Sequence, residues 1–82
     1  MYKVFSRIHE KYVNPLFEAF DGGDFVLSSY RDIESDMTDV QLYFAEEEKI
    51  DEAKRLLSSS LSIVGVDPVV YTEEVEDEDW KY

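Results

Sequence analysis

The apolar residues change period once, abruptly, in the middle of the chain, and that change constrains the fold more than any other feature. From Thr38 to Phe44 they alternate: Val40, Leu42 and Phe44 fall on one side, with Asp39, Gln41 and Tyr43 opposite. A strand with one covered face reads this way. From Glu46 to Val64 they recur at helical spacing, with Ile50, Ala53, Leu57, Leu61 and Val64 spaced 3, 4, 4 and 3 apart. That spacing draws an apolar stripe along one side of a helix. Glu46, Glu47 and Glu48 stand where the positive end of the helix dipole favours anions, and Gly65 is the stop. Ser58-Ser59-Ser60 lowers helix propensity slightly in the middle.

The flanking segments supply the remaining elements. Met1 to Phe5 alternates as a short strand does, although Phe5, Ile8, Tyr12 and Leu16 also sit at helical spacing. The pattern favours a strand to about Phe5, then Ser6 as the N-cap of a helix. That helix spans Arg7–Phe20, with Ile8, Tyr12, Val13, Leu16, Phe17 and Phe20 on its apolar face. Pro15 is expected to kink it, or to restart it with Asn14 as cap. Asp21-Gly22-Gly23-Asp24 ends the element. A strand over Phe25–Ile33, a turn at Glu34-Ser35-Asp36 and a last strand over Val69–Val75 complete the chain. The order is β-α-β-β-α-β. It predicts an α+β, ferredoxin-like two-layer sandwich: one domain over residues 1–82, with two helices on one face of a four-stranded antiparallel sheet. This fold hosts many unrelated functions, so function has to be read from particular residues.

Composition removes several classes. The chain has 82 residues, 20 acids against 8 bases, one histidine and no cysteine, for a net charge of −12. Phosphate binding relies on Lys and Arg, so direct nucleic-acid binding is not expected. Without cysteine there is no disulfide framework and no thiolate metal site. No apolar run approaches the ~18–20 residues of a membrane span, and no signal peptide is legible, so a cytoplasmic protein is expected. The charge is uneven: residues 1–20 carry net +1 and residues 21–82 carry net −13. The stretch Asp67 to Tyr82 holds seven acids and only Lys81.

Catalytic chemistry is thin. His9 reads as an exposed helical histidine beside Arg7, Glu10 and Lys11, with no cysteine to activate. Gly22-Gly23 follows a helix and not a strand, so it is a stop signal and not a phosphate loop. Asp36 with Asp39, or Asp77 with Asp79, are the carboxylate pairs nearest to a cation site, yet neither has a calcium-loop pattern. Solvated acids are the simpler reading of both. No catalytic, cofactor or metal residue is assigned. The six tyrosines are numerous for this length. Tyr30 and Tyr43, together with Gln41, are the candidates for partner contacts on the open sheet face, since aromatic residues anchor interfaces.

The C-terminal Glu76-Asp77-Glu78-Asp79-Trp80, following Val69-Val70-Tyr71-Thr72-Glu73-Glu74-Val75, resembles the end of the N-terminal domain of the bacterial lysine methyltransferase that modifies large-ribosomal-subunit protein eleven. Asn14-Pro15-Leu16-Phe17-Glu18-Ala19-Phe20-Asp21-Gly22-Gly23 is similar to the end of that family's first helix and its glycine turn. Asp39-Val40-Gln41-Leu42-Tyr43-Phe44 is similar to its third strand, and Met1-Tyr2-Lys3-Val4 to its opening strand. The Asp-Trp element is the more specific of these. The resemblance implies a ferredoxin-like domain that recognises the basic ribosomal protein and presents it to a separate catalytic domain, which binds S-adenosylmethionine and transfers the methyl group. It implies that Asp77, Asp79 and Trp80 fix the path from the recognition domain toward the catalytic one. The glycine-rich cofactor loop has no counterpart in these 82 residues, so the chain is expected to be non-catalytic, to bind no cofactor and to lack the methyltransferase domain. A domain at −12 attracts a basic ribosomal protein and repels RNA. The competing expectation, from charge and size alone, is a freestanding acidic inhibitor or nucleic-acid mimic, with Asp32, Glu34 and Asp36 as an array that occupies a basic enzyme cleft.

Overall fold

The computed structural model describes residues 1–31 and 33–75. Strand β1 spans Tyr2–His9 and leads through a 3-10 turn at Glu10–Tyr12 into helix α1, Val13–Ala19. Strands β2, Leu27–Arg31, and β3, Met37–Phe44, follow. A second 3-10 turn, Glu47–Lys49, opens helix α2, Ile50–Ile63, and strand β4 is Tyr71–Glu74. The four strands form one antiparallel sheet in the order β2-β3-β1-β4, with β1 and β3 central. This is the ferredoxin-like βαββαβ sandwich that the element order predicts.

The core lies between the sheet and the helices. Val4 and Ile8 of β1 and Val40, Leu42 and Phe44 of β3 are buried together with Leu16 of α1 and Ala53, Leu57 and Leu61 of α2. The three α2 residues are the centre of the helical stripe read from the sequence, and Ile50 and Val64 pack at its ends. Phe25 joins the core edge-on to Phe44, with ring centroids 5.4 Å apart.

The first strand is longer than its alternation suggests. It pairs with β3 residue for residue from Tyr2↔Phe44 to His9↔Met37. Ser6 is therefore not a helix cap; it lies mid-strand on the core face between Val4 and Ile8. His9 correspondingly ends a strand and does not sit on a helix. A buried serine is tolerated because its hydroxyl donates to the Val69 carbonyl at 2.7 Å. The helix expected over Arg7–Phe20 shortens to Val13–Ala19, and Pro15 is its third residue. There the missing amide has no intrahelical carbonyl to lose, so proline is tolerated in the first turn.

Two further boundaries differ. Strand β2 ends at Arg31, and Ile33 is almost fully exposed. Strand β4 begins only at Tyr71, because residues 66–70 diverge from β1 beyond the Phe5↔Tyr71 pair. The stop at Gly65 holds. Gly65 has φ +84°, its amide donates to the Ser62 carbonyl at 3.1 Å, and the Val66 amide donates to the Leu61 carbonyl at 2.9 Å. These are the two bonds of a Schellman cap. Helix α1 closes otherwise: Phe20 leaves it in extended conformation, and the glycines lie one turn beyond.

Candidate functional site

Because strand residues alternate, burying Val4, Ser6 and Ile8 sends Lys3, Phe5, Arg7 and His9 to the opposite face of the sheet. Among the described residues no helix covers that face. The registers set its residues in rows across the strands. Tyr43, Lys3 and Glu73 form one row; Ser28, Gln41, Phe5 and Tyr71 form the next; Tyr30, Asp39 and Arg7 form the third. The middle row is uncharged and holds an aromatic pair, Phe5 and Tyr71, with centroids 5.5 Å apart.

The flanking rows carry charges of both signs. Lys3 Nζ lies 3.9 Å from Glu73 Oε2 and 4.7 Å from the centre of the Phe5 ring. Arg7 Nε lies 4.0 Å from Asp39 Oδ1. At the far end His9 Nε2 is 4.0 Å from Asp36 Oδ2, while His9 Nδ1 accepts a hydrogen bond from the Lys11 amide. Among the described residues the carboxylates of the three rows, Glu73 and Asp39, thus stand opposite Lys3 and Arg7.

The three candidates for partner contacts come together. Tyr30, Gln41 and Tyr43 all line one open hollow of about 980 Å³ on this face, with Lys3, Ser28, Asp39, Glu73, Val26 and Val75. Tyr30 and Val26 are well exposed, at 68% and 75%. Phe5 and Tyr71 belong to the same surface. The sequence does not single them out: Phe5 also fits a helical period, and nothing local sets Tyr71 beside it.

Among the described residues the excess of acids gathers elsewhere. Strands β3 and β4 and helix α1 finish at the same end of the molecule at which β1, β2 and α2 begin. That end carries Asp21, Asp24, Glu46, Glu47, Glu48, Glu73 and Glu74, all exposed, against Lys3 and Lys49. Tyr2 reports the resulting field. Partial burial, then the carboxylates of Glu47, Glu74 and Glu48, hold its hydroxyl above the ordinary value of 10.0.

Other candidates are placed as follows. Asp77, Asp79 and Trp80 lie outside the described residues, as does Asp32. Glu34 and Asp36 sit in the β2–β3 turn, where Asp36 faces His9. Gly22 does not cradle a ligand: the space in front of its Cα is filled by the ring of Phe20. Among the described residues no group of three or more His, Asp or Glu side chains is placed to hold a metal ion, and no helix is long and apolar enough to cross a membrane. No family model matches the chain, and the search of curated proteins finds no match.

Proposed function

We propose that this chain is a non-catalytic protein-recognition domain, similar to the N-terminal domain of the ribosomal protein lysine methyltransferase described above. Its partner is a basic protein of the large ribosomal subunit, presented to a separate S-adenosylmethionine-dependent domain. The observation that carries the reading is the division of the surface into an acidic end and an adjoining aromatic hollow, which meet at Tyr43 and Glu73. An acidic end speeds encounter with a basic protein over several ångströms, while an uncharged aromatic patch supplies short-range contact area. Tyr30, Gln41 and Tyr43 are the contact residues of this reading, and Asp77, Asp79 and Trp80 lead toward the catalytic domain.

Titration calorimetry with purified large-subunit protein eleven tests the proposal. Binding in the micromolar range or tighter, weakening as salt is raised, is the expected result. Absence of heat at low salt would remove the reading. Incubated with the same protein and S-adenosylmethionine, these 82 residues alone transfer no methyl group.

A further inference from the structure

The three rows of the open face have a property that the acidic end lacks: among the described residues their charges cancel. Lys3 and Arg7 oppose Glu73 and Asp39, so these rows sum to zero in a chain of net −12, and Asp36 lies beyond them at the far end. The layout matters as much as the sum. The uncharged row of Ser28, Gln41, Phe5 and Tyr71 is the centre, and the ion pairs form the two rows beside it. Protein interfaces have this anatomy, an aromatic centre inside a polar rim.

We propose that this face pairs with a second copy of the chain, sheet against sheet. Two copies at −12 repel each other through any acid-rich surface, and least through one on which positive and negative groups balance. The outer surface of the helices is also nearly balanced, but its exposed apolar groups, Phe17 and Ile63, are single and lie on different helices. On the sheet, by contrast, Val26, Tyr30 and Tyr71 are exposed around one hollow and one aromatic pair. Two strands of eight residues, one of five and one of four, spaced ~4.8 Å apart at ~3.3 Å per residue, offer roughly 400 Å² of face. That is below the ~800 Å² per partner of a standard interface, so the dimer is a weak one in exchange with monomer. The inference does not rest on the ribosomal-protein reading. Where a basic partner reaches Gln41 and Tyr43, it displaces the second copy.

The salt dependence separates the two. Salt screens the repulsion between like-charged copies, so the dimer tightens as salt rises, whereas an acidic–basic complex loosens. Sedimentation velocity on the full chain, from about 10 µM to about 1 mM and at about 0.05 and 0.5 M salt, reads this directly. The average mass is expected to rise from 9.6 kDa toward twice that value, at lower protein concentration in the higher salt. Tyr30→Glu with Tyr71→Glu should raise the dissociation constant at least about tenfold, while Ile63→Glu leaves it within about twofold. The uncharged pair Tyr30→Ser with Tyr71→Ser gives the same loss without added charge or a charge-driven folding defect. A monomer at every concentration, or a dimer that both tyrosine pairs leave intact, overturns the proposal.

Discussion

The hydroxyl of Ser6, buried at the centre of β1, donates to the carbonyl of Val69 at 2.7 Å and so ties the middle strand to the segment that leads into β4, 63 residues later. Past the Phe5↔Tyr71 pair there is no β1–β4 ladder, so this side-chain bond holds residues 66–70 to the sheet where strand pairing stops. Ser6→Ala removes the donor and leaves the carbonyl without it. A loss of about 1–2 kcal/mol in unfolding free energy is expected, read as a lower urea midpoint at unchanged slope. Ser6→Thr, which keeps the hydroxyl, should recover part of it.

Gly65 and Gly22 are needed for different reasons, and their alanine variants should separate them. Gly65 has φ +84° with open space around its Cα, so Gly65→Ala carries only the left-handed backbone penalty, about 1 kcal/mol. Gly22 is buried under the ring of Phe20, and an added methyl would overlap that ring. Phe20 packs against the core, so the ring cannot move without exposing apolar surface. Gly22→Ala should cost about 1–3 kcal/mol. Phe20→Leu should relieve Gly22→Ala in part and leave Gly65→Ala unchanged, as a double-mutant cycle would show.

Much of the fold was legible because its two main signals are periodic. The alternation through Val40, Leu42 and Phe44 and the helical stripe through Ala53, Leu57 and Leu61 became the two sides of the core. The misreadings fall where a residue's role depends on a distant partner. Ser6 reads as a cap unless Val69 is known to be beside it. Pro15 reads as an interruption of a longer helix, or a restart capped by Asn14, unless the helix is known to start at Val13. Alternation places Gln41 and Tyr43 opposite the core, and Tyr30 is a candidate as an aromatic; all three line one hollow on the open face. The division of charge was only partly legible: net charge per segment can be counted, but pairing of Lys3 with Glu73 and Arg7 with Asp39 follows from strand order alone.

Tyr2 offers a spectroscopic reading of the acidic end. Its ring stacks on Phe44 at 6.1 Å, and burial together with Glu47, Glu74 and Glu48 raises its ionisation above 10.0. A raised folded-state value means that the associated stability is complete below the unfolded-state value and is lost as pH rises through the folded one. An alkaline absorbance titration should show one tyrosine ionising later than the others, and Tyr2→Phe should remove that late component. Raising salt should shift it downward, because the carboxylate part of its cause is screened. A late component that persists in Tyr2→Phe would assign the field to a different tyrosine.

The two parts of the proposed partner surface should fail in different kinetic constants. Glu46, Glu47 and Glu48 are exposed in the turn before α2, away from the rows of the open face. Replacing all three with glutamine removes long-range attraction and little contact area. The association rate with the basic ribosomal protein should fall about threefold to tenfold at low salt and by less at high salt, with dissociation nearly unchanged. Tyr43→Ala removes a ring from the border of the hollow and leaves the field in place. It should speed dissociation and leave the salt dependence of association as it was. Surface plasmon resonance at two salt concentrations measures all four quantities. If the glutamine variant altered only dissociation, the acidic end would be part of the contact itself and not a steering surface.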